Sequence, residues 1–401
     1  MNKINKSLLG GSIALLITLN LFNIINFLFQ FSMARMLSVQ DYSVLATLFS
    51  IIYILTVFSE SIETVLTRYT SLESDKGKLK NIFKKSIRKS WKITLFLFIF
   101  YTILAIFLAP FLKIDYFLLV INGLFIFSVF LLPIPRGIMQ GRKMFWNLGG
   151  NFVLEGTIKL LLAIFLVLLG FGIYGAIGAT IISTFIAFFA SFIALKSVLN
   201  SKESPAITPK IYEYTAPVFF ATLIITIFYS IDIVVARILF DSTTSGYYSL
   251  ASILAKTLFV GTQAISKAMF PFSANNKEQG KSGNIYTNSI VILIILIIPS
   301  LVIFYFFPDI LVRIFAGRYI PESAKVLFYL AIASSLISFT NLEINYKLSQ
   351  GKIKGYAYLI FFILIEILLF IYFSQSILSF SISFIISSFI FFLGSILMLR
   401  K

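Results

Sequence analysis

The sequence predicts an all-α integral membrane protein with about twelve transmembrane helices. Two observations lead there: an extreme apolar composition and apolar runs of membrane-spanning length. Of the 401 residues, 59% are hydrophobic and 12% are charged, and the mean hydropathy is +0.97. A soluble globular protein is about half apolar and about a quarter charged. The excess indicates that most of the chain lies in lipid.

The candidate membrane spans are apolar runs long enough to cross the hydrocarbon as helices, which takes about 20 residues. Short polar or glycine-containing breaks separate them. We expect tight outer hairpins at residues 170–172 and 374–376, and no cleavable signal peptide. The spans lie near residues 8–34, 42–70, 92–112, 115–136, 145–170, 172–197, 212–239, 246–272, 285–308, 323–346, 356–374 and 376–399.

The Lys and Arg residues fall mainly in alternate connections. With the N-terminus inside, 24 of the 33 cations lie in inner segments, 6 lie in outer segments, and Arg68, Lys159 and Lys256 remain in the spans. Inner loops of membrane proteins are rich in Lys and Arg. The bias predicts a multi-pass protein of the plasma (inner) membrane with both termini cytoplasmic. It also explains most of the net charge of +17 without a nucleic-acid partner.

Several kinds of chemistry are excluded by residues that the chain lacks. Cys and His are both absent, so there is no disulfide, no thiolate metal site and no histidine base. Neither a G-x-x-x-x-G-K-[ST] phosphate loop nor a G-x-S-x-G nucleophile turn occurs. The sequence therefore predicts no catalytic residues, no metal site and no cofactor.

The longest inner loop, predicted at residues 71–92, carries eight cations. A cluster of this size is attracted to anionic lipid headgroups. Topology combined with surface binding explains the cluster, and collection of an anionic lipid substrate is the alternative.

Two pairs of short signatures recur in the two halves of the chain. Residues 34–37 read A-R-M-L and residues 236–239 read A-R-I-L, each followed by a tyrosine-containing helix start. Gln140 and Gln350, each followed by glycine and a cation, come after the fourth and tenth spans. This repetition predicts two pseudo-symmetric six-helix bundles, residues 1–200 and 201–401. Parallel repeats of this kind are typical of transporters that bind substrate between the bundles.

These signatures resemble the polysaccharide flippases of the multidrug/oligosaccharidyl-lipid/polysaccharide exporter superfamily. The Asn-rich fifth span and the Gly/Ala-rich start of the sixth, residues 170–178, add to the resemblance. It implies a MATE-like fold and flipping of an undecaprenyl- or dolichyl-pyrophosphate-linked oligosaccharide from the inner to the outer leaflet. Peptidoglycan-precursor flippases of the superfamily keep cations on helices one, two and eight, which here correspond to Arg35, Arg68 and Lys256.

Polar and ionisable residues inside the spans are the candidate site, because each costs roughly 2.5–3.5 kcal/mol at the membrane centre. Asn147, Asn151, Glu155 and Lys159 recur at steps of four, on one helical stripe. The last two are spaced for an ion pair. The predicted substrate-binding residues of a cationic central cavity are Arg68, Lys159, Lys256, Arg35, Arg237, Asn23, Gln30, Asn147 and Asn151. The predicted ion-coupling residues are Glu60, Glu63, Glu155 and Asp232.

The predicted function is export of a polyprenyl-linked glycan by alternating access, as a transporter rather than an enzyme. Cations would hold the pyrophosphate, and amides would meet sugar hydroxyls. Membrane lipids, the glycan substrate and glycan-assembly proteins are the expected partners. Buried ion pairs that only fix helix packing are the alternative reading of the same charges. The alternative functions are a multidrug/cation antiporter of the same fold, an integral-membrane glycan polymerase or ligase, and a scaffolding membrane protein.

Overall fold

The computed structural model describes residues 3–206, 216–275, 282–351 and 355–398, and within these ranges the backbone consists of helices joined by short turns. The chain divides into two compact units. Unit 1 comprises Met1–Leu37 and Leu55–Tyr214, and unit 2 comprises Ser38–Ile54 and Thr215–Lys401. The all-α membrane fold predicted from the sequence is confirmed. The division into six-helix halves at residue 200 stays a prediction.

The first half of the chain forms nine α-helices, of which α2 begins in unit 2 and ends in unit 1. They are α1 (Lys3–Met36), α2 (Val39–Ser71), α3 (Lys76–Leu112), α4 (Tyr116–Gly123), α5 (Phe125–Leu131), α6 (Pro133–Gly141), α7 (Phe145–Leu166), α8 (Gly172–Ala194) and α9 (Lys196–Leu199), with a π-helical turn at Val167–Phe171. In unit 1, α7 packs against both α1 and α8.

The second half forms seven further α-helices. They are α10 (Ala216–Leu239), α11 (Ser242–Asn275), α12 (Ser282–Phe306), α13 (Pro308–Ala316), α14 (Pro321–Ser349), α15 (Ile360–Tyr372) and α16 (Ile377–Met398), with a 3₁₀ turn at Tyr356–Leu359. In unit 2, α14 packs against α11 and α16, and α15 packs against α10 and α16.

The helices occupy all twelve predicted span positions. Nine helical segments in the described part of the chain are long and apolar enough to cross a membrane. One of them, Phe145–Ala194, contains two predicted spans, while α11 and the shorter α15 account for the remaining two. Many large apolar side chains on these helices are exposed, including Phe96, Phe107 and Ile193. Such a surface suits lipid rather than water.

The start of α3 corrects the predicted loop at 71–92. Asp75 caps the helix, accepting a hydrogen bond from the Gly77 N–H at 2.7 Å, and the chain is helical from Lys76 onward. Leu79, Ile82 and Phe83 recur at helical spacing and are buried. The dense cations between them concealed this periodicity. With 37 residues, α3 is longer than the ~30 Å of hydrocarbon requires.

The fourth predicted span is three consecutive helical pieces, α4 to α6. Pro133 and Pro135 lack a backbone N–H, so α5 ends before them and α6 begins at Pro133. The helix then continues to Gly141 rather than ending near residue 136. Arg136, expected in an inner loop, is therefore buried within α6.

Both predicted hairpins are present as breaks between helices, and their outer location stays a prediction. Gly170 and Gly172 adopt φ values of +90° and +50° between α7 and α8. Glycine tolerates positive φ because it has no Cβ. Residues 373–376 form the turn between α15 and α16, where the Ser379 hydroxyl donates to the Phe373 carbonyl at 2.9 Å.

The repeated glutamines make corresponding hydrogen bonds. The Gln140 amide oxygen accepts a 2.9 Å hydrogen bond from the Thr67 hydroxyl near the end of α2. The Gln350 amide nitrogen donates to the Ser273 hydroxyl, at 2.9 Å, near the end of α11. In each case a glutamine that ends one long helical stretch ties it to the end of another.

Candidate functional site

In unit 1, a buried arginine organises a set of polar groups between α6 and α7. Arg136 Nη2 donates to Glu155 Oε2 at 2.5 Å, and its Nε donates to Asn151 Oδ1 at 2.8 Å. The Phe152 ring lies 3.9 Å from the guanidinium carbon. Asn151 in turn donates to the Ala187 carbonyl at 2.7 Å. Arg136 and Glu155 thus form a closed ion pair, and the predicted pair between Glu155 and Lys159 is wrong.

Lys159 lies one turn further along α7 and is also buried, at 7% exposure. Its ammonium donates to the Asn26 amide oxygen on α1 and lies 5.0 Å from the Phe29 ring centroid. Asn26 is itself held by a 2.9 Å hydrogen bond to the Phe22 carbonyl. Among the described residues, no carboxylate lies within ion-pair distance of Lys159. Its hydrogen-bond and ring partners are therefore uncharged, while Glu155, which is paired with Arg136, acts on it electrostatically.

In unit 2, Asp232 on α10 is the centre of a second buried set. Lys256 donates to Asp232 Oδ1 at 2.6 Å. The Ser252 and Tyr248 hydroxyls donate to Oδ2 at 2.7 and 3.0 Å. Asp232, Tyr248 and Lys256 are 0%, 0% and 5% exposed. Asp232 and Lys256, 24 positions apart in sequence, are therefore each other's partner, and α11 supplies all three donors.

Arg237, near the end of α10, contacts two serine hydroxyls. Its Nη1 lies 3.4 Å from both Ser43 Oγ and Ser245 Oγ, which are 2.9 Å from each other. The side chain is 3% exposed. Tyr42 and Tyr248, which follow the two A-R-x-L sequences, are both fully buried.

Residues 32–325 match the family described as polysaccharide biosynthesis protein. The chain belongs to this family.

This member of the polysaccharide biosynthesis family also resembles solved transporter structures. A multidrug resistance MATE family transporter of the MOP superfamily, in an inward-facing conformation, superposes with a TM-score of 0.77 at 14% identity, over 93% of each chain. The Lipid II flippase MurJ, in an inward closed conformation, superposes with a TM-score of 0.71 at 16% identity, over 96% of this chain and 87% of the other. At these identities the matches establish the fold.

A relative in sequence is an uncharacterised membrane protein of Methanocaldococcus jannaschii. It is 25% identical over 360 residues, which are 83% of this chain and 81% of the relative. The predicted resemblance to polysaccharide flippases of the superfamily is confirmed. The solved structures that share the fold are a transporter and a flippase, in agreement with the expectation that the chain is not an enzyme.

The remaining predicted site residues of this family member make none of the hydrogen bonds of the two buried sets, although Glu63 on α2 acts electrostatically on Arg136. Arg68 is exposed in the last turn of α2, and Arg35 is exposed near the end of α1 with its guanidinium carbon 4.3 Å from the Phe31 ring centroid. Exposed positions are also found for Asn23, Asn147 and Glu60, and half-buried positions for Gln30 and Glu63. Their roles stay predictions.

The sequence reasoning missed Arg136, Tyr248 and Ser252 as members of the buried polar sets. Arg136 was hidden because the helix was expected to end beside it. A charged residue next to two prolines in an apolar stretch was the available signal. No cluster of carboxylates suited to a metal ion occurs in the part of the chain that the structure describes.

Proposed function

We propose that this protein flips a polyprenyl-pyrophosphate-linked oligosaccharide from the inner to the outer leaflet for assembly of a cell-surface glycan. Membership of the polysaccharide biosynthesis family and a fold shared with the Lipid II flippase MurJ support this proposal. The observation that carries it is Lys159, a buried membrane cation whose partners are uncharged.

The physical argument concerns charge compensation. A buried cation that is paired with a carboxylate has little net field with which to attract an anion. Lys159 is held instead by an amide oxygen and an aromatic ring. Such neutral partners orient the ammonium without an ion pair, and Glu155, the carboxylate that acts on it electrostatically, is already paired with Arg136. A substrate phosphate would complete the solvation of Lys159 and gain a charge-assisted hydrogen bond, which is stronger than one between neutral groups.

The other predicted cations contribute less directly in this proposal. Lys256 is compensated by Asp232, so it would attract an anion only if that pair opened. Three arginines lie near helix ends and would contact the substrate only as it enters or leaves the protein. They are Arg35, Arg68 and Arg237. The predicted amide contacts to sugar, from Asn23, Gln30, Asn147 and Asn151, differ in availability, since Asn151 is already bonded to Arg136 and Ala187.

The membrane potential would favour this direction of transport. Moving one elementary charge across 100 mV is worth about 2.3 kcal/mol. A pyrophosphate with about two negative charges leaving an inside-negative cell would therefore gain roughly 4–5 kcal/mol at that potential. The proposed reaction thus needs no nucleotide hydrolysis.

The test is flipping of a lipid-linked oligosaccharide by the purified protein in liposomes. A polyprenyl-pyrophosphate oligosaccharide is placed in the membrane, and a glycosidase added outside cleaves only headgroups that have reached the outer leaflet. We expect cleavage to exceed the half that random insertion exposes, at a rate that rises with protein. Cleavage equal to that of protein-free liposomes would contradict the proposal.

A second candidate function is multidrug/cation antiport, favoured by the TM-score of 0.77 with the MATE transporter. The two functions differ in substrate charge, because the flippase takes an anion and the antiporter typically takes an organic cation. Efflux of a cationic dye from the same liposomes, without lipid-linked substrate flipping, would support the antiporter and exclude the flippase.

A further inference from the structure

A fully buried carboxyl group in unit 2 lacks any hydrogen-bond partner. Glu366 lies in the middle of α15 and is 0% exposed. Among the described residues, neither of its carboxyl oxygens has a donor within hydrogen-bond distance. Buried polar groups are nearly always hydrogen-bonded, so each exception needs an explanation.

Several donors on the neighbouring helices are bound to other groups. Lys256, Tyr248 and Ser252 all donate to Asp232, which accepts three hydrogen bonds. On α16, which packs against α15, the hydroxyls of Ser383 and Ser387 donate to carbonyls of their own helix. The carboxylate of Asp232 is therefore fully hydrogen-bonded by the protein, whereas the carboxyl group of Glu366 is not.

The charges that act on Glu366 come from two helices. Asp232 on α10 repels a negative charge at Glu366, and Lys256 on α11 attracts one. The Tyr248 phenol on α11 is the further titratable group coupled to Glu366. The described parts of α15 and α16 contain no other Asp, Glu, Lys or Arg.

Charge balance decides the protonation state in this conformation. Asp232 and Lys256 already form a neutral pair at 2.6 Å. An ionised Glu366 would add a second buried carboxylate without a single donor, which low-dielectric surroundings strongly disfavour. A neutral carboxylic acid avoids that penalty. Glu366 therefore holds a proton here, while Asp232 stays paired with Lys256.

We propose that Glu366 is a proton-binding site that couples transport to the proton gradient, an inference that rests on the proposed transport function. In the present conformation the site is loaded. When a rearrangement of unit 2 admits water, the O–H bond of Glu366 breaks, its electron pair stays on the carboxylate, and water takes the proton. Lys256, the cation that acts on both carboxyls, then stabilises the new carboxylate.

The consequence is that protons would move inward while the substrate is exported. A proton taken up from the outer side and released to the inner side would accompany the return of the empty carrier. The ion-coupling role predicted for Asp232 is then to hold Lys256 while Glu366 is protonated. The residue that binds the coupling proton is then Glu366 on α15.

The first test reads the protonation state without any transport. Infrared difference spectra between wild type and Glu366→Gln, recorded in lipid nanodiscs near neutral pH, report the carbonyl band of a protonated carboxyl. We expect the band in wild type and its loss in Glu366→Gln. The matched control is Glu343→Gln, because Glu343 is also buried in unit 2 but is bonded to Tyr286 and Lys347. The Glu343→Gln variant should leave the band intact.

A second variant, Glu366→Met, also lacks a charge and should give the same loss of the band if Glu366→Gln folds poorly. A Glu366-dependent carboxylate band in place of the acid band would overturn the proposal.

The second test measures coupling. Flipping is followed in liposomes with an imposed pH gradient, acidic outside, and with the membrane potential clamped at zero. Wild type should flip faster with the gradient than without it, whereas Glu366→Gln should give one rate in both conditions. A gradient response retained in Glu366→Gln would refute the coupling role. Absence of flipping in wild type would refute the proposed function, whereas the infrared result would still decide whether the proton site exists.

Discussion

The buried charges of the two units are solvated in opposite ways. In unit 1 the carboxylate of Glu155 is paired with Arg136, and the group without a counter-ion is a cation, Lys159. In unit 2 the cation Lys256 is paired with Asp232, and the group without a partner is a carboxyl, Glu366. Within the described residues, unit 1 therefore carries a buried cation without an ion-pair partner, and unit 2 carries a buried carboxyl without a hydrogen-bond donor, the proposed proton site.

This difference separates substrate binding from ion coupling, two roles for which the sequence reasoning had proposed thirteen residues in all. An uncompensated cation suits an anionic headgroup, and an unsolvated carboxyl suits a proton. The pairs Arg136–Glu155 and Asp232–Lys256 then serve as fixed neighbours that orient the group beside them. The predictions that follow test this assignment by removing one partner at a time.

The largest effect on stability should come from Glu155→Gln in unit 1. It leaves the Arg136 guanidinium buried without the carboxylate 2.5 Å away. Breaking a buried ion pair in this way costs about 3–5 kcal/mol. The measurement is the unfolding free energy of the purified protein in detergent. Glu60→Gln, at an exposed position on α2, is the control that should stay close to wild type, and equal stability of both variants would contradict the pairing.

Asp232→Asn in unit 2 should be milder than Glu155→Gln, because a second carboxyl is present. Once Asp232 is neutral, Glu366 can release its proton and become the counter-ion of Lys256, which acts electrostatically on both groups. The double variant Asp232→Asn/Glu366→Gln removes that substitute and should lose about 3–5 kcal/mol. The same unfolding measurement applies. A single variant as unstable as the double one would show that Glu366 cannot take over.

The glycines of the repeated signature should respond differently to substitution in the two units. An alanine Cβ at Gly141 would lie 2.1 Å from Thr70 Oγ1 and 2.6 Å from the Thr67 carbonyl oxygen, so Gly141→Ala should cost about 1–3 kcal/mol by overpacking. Gly351 has φ +71°, so Gly351→Ala should cost about 1–2 kcal/mol of backbone strain.

Asparagine separates these two causes, because it tolerates the left-handed conformation. Gly351→Asn should recover most of the stability lost in Gly351→Ala, as measured by thermal unfolding. Gly141→Asn should be no better than Gly141→Ala, since its obstacle is steric. Recovery at both sites, or at neither, would mean that the signature plays the same structural role in the two units.

The smallest effect should come from the surface pair of Lys84 and Glu203 in unit 1. The pKa of Glu203 is held below its usual range, chiefly because Lys84 and Asn81 donate hydrogen bonds to its carboxylate. A lowered carboxyl pKa adds stability at neutral pH that disappears as the pH falls through that pKa. Exposed pairs contribute little. Glu203→Gln should match wild type in acid and be at most marginally less stable at neutral pH; a larger loss in acid would contradict the assignment.

The sequence was sufficient for the spans and most of their breaks, because apolar run length and turn-forming glycines are local properties. The hairpin at residues 170–172 and the turn after Gln140 were found in this way. The start of α3 was missed because residues 76–92 are so rich in cations that charge density obscured the helical repeat of Leu79, Ile82 and Phe83.

The choice of ionic partners could not be predicted from the sequence, because it is made between helices. Spacing favoured Glu155 with Lys159, yet tertiary packing joins Glu155 to Arg136, 19 positions away, and Lys159 to Asn26, 133 positions away. Likewise, a lone glutamate on an apolar helix gave no sign that Glu366 would be buried without a donor in the described part of the chain and would interact electrostatically with Asp232.

The central element of this account is Lys159, the buried cation of unit 1 without an ion-pair partner among the described residues. The flipping rate of Lys159→Met tests its role most directly. Losing a hydrogen bond to a charged group costs about 1.5–3 kcal/mol, so the rate should fall roughly tenfold to a hundredfold. Lys159→Arg, which keeps the charge, should retain most of the activity, and Lys84→Met, at the surface pair, should match wild type. Flipping by Lys159→Met at the wild-type rate would contradict the account.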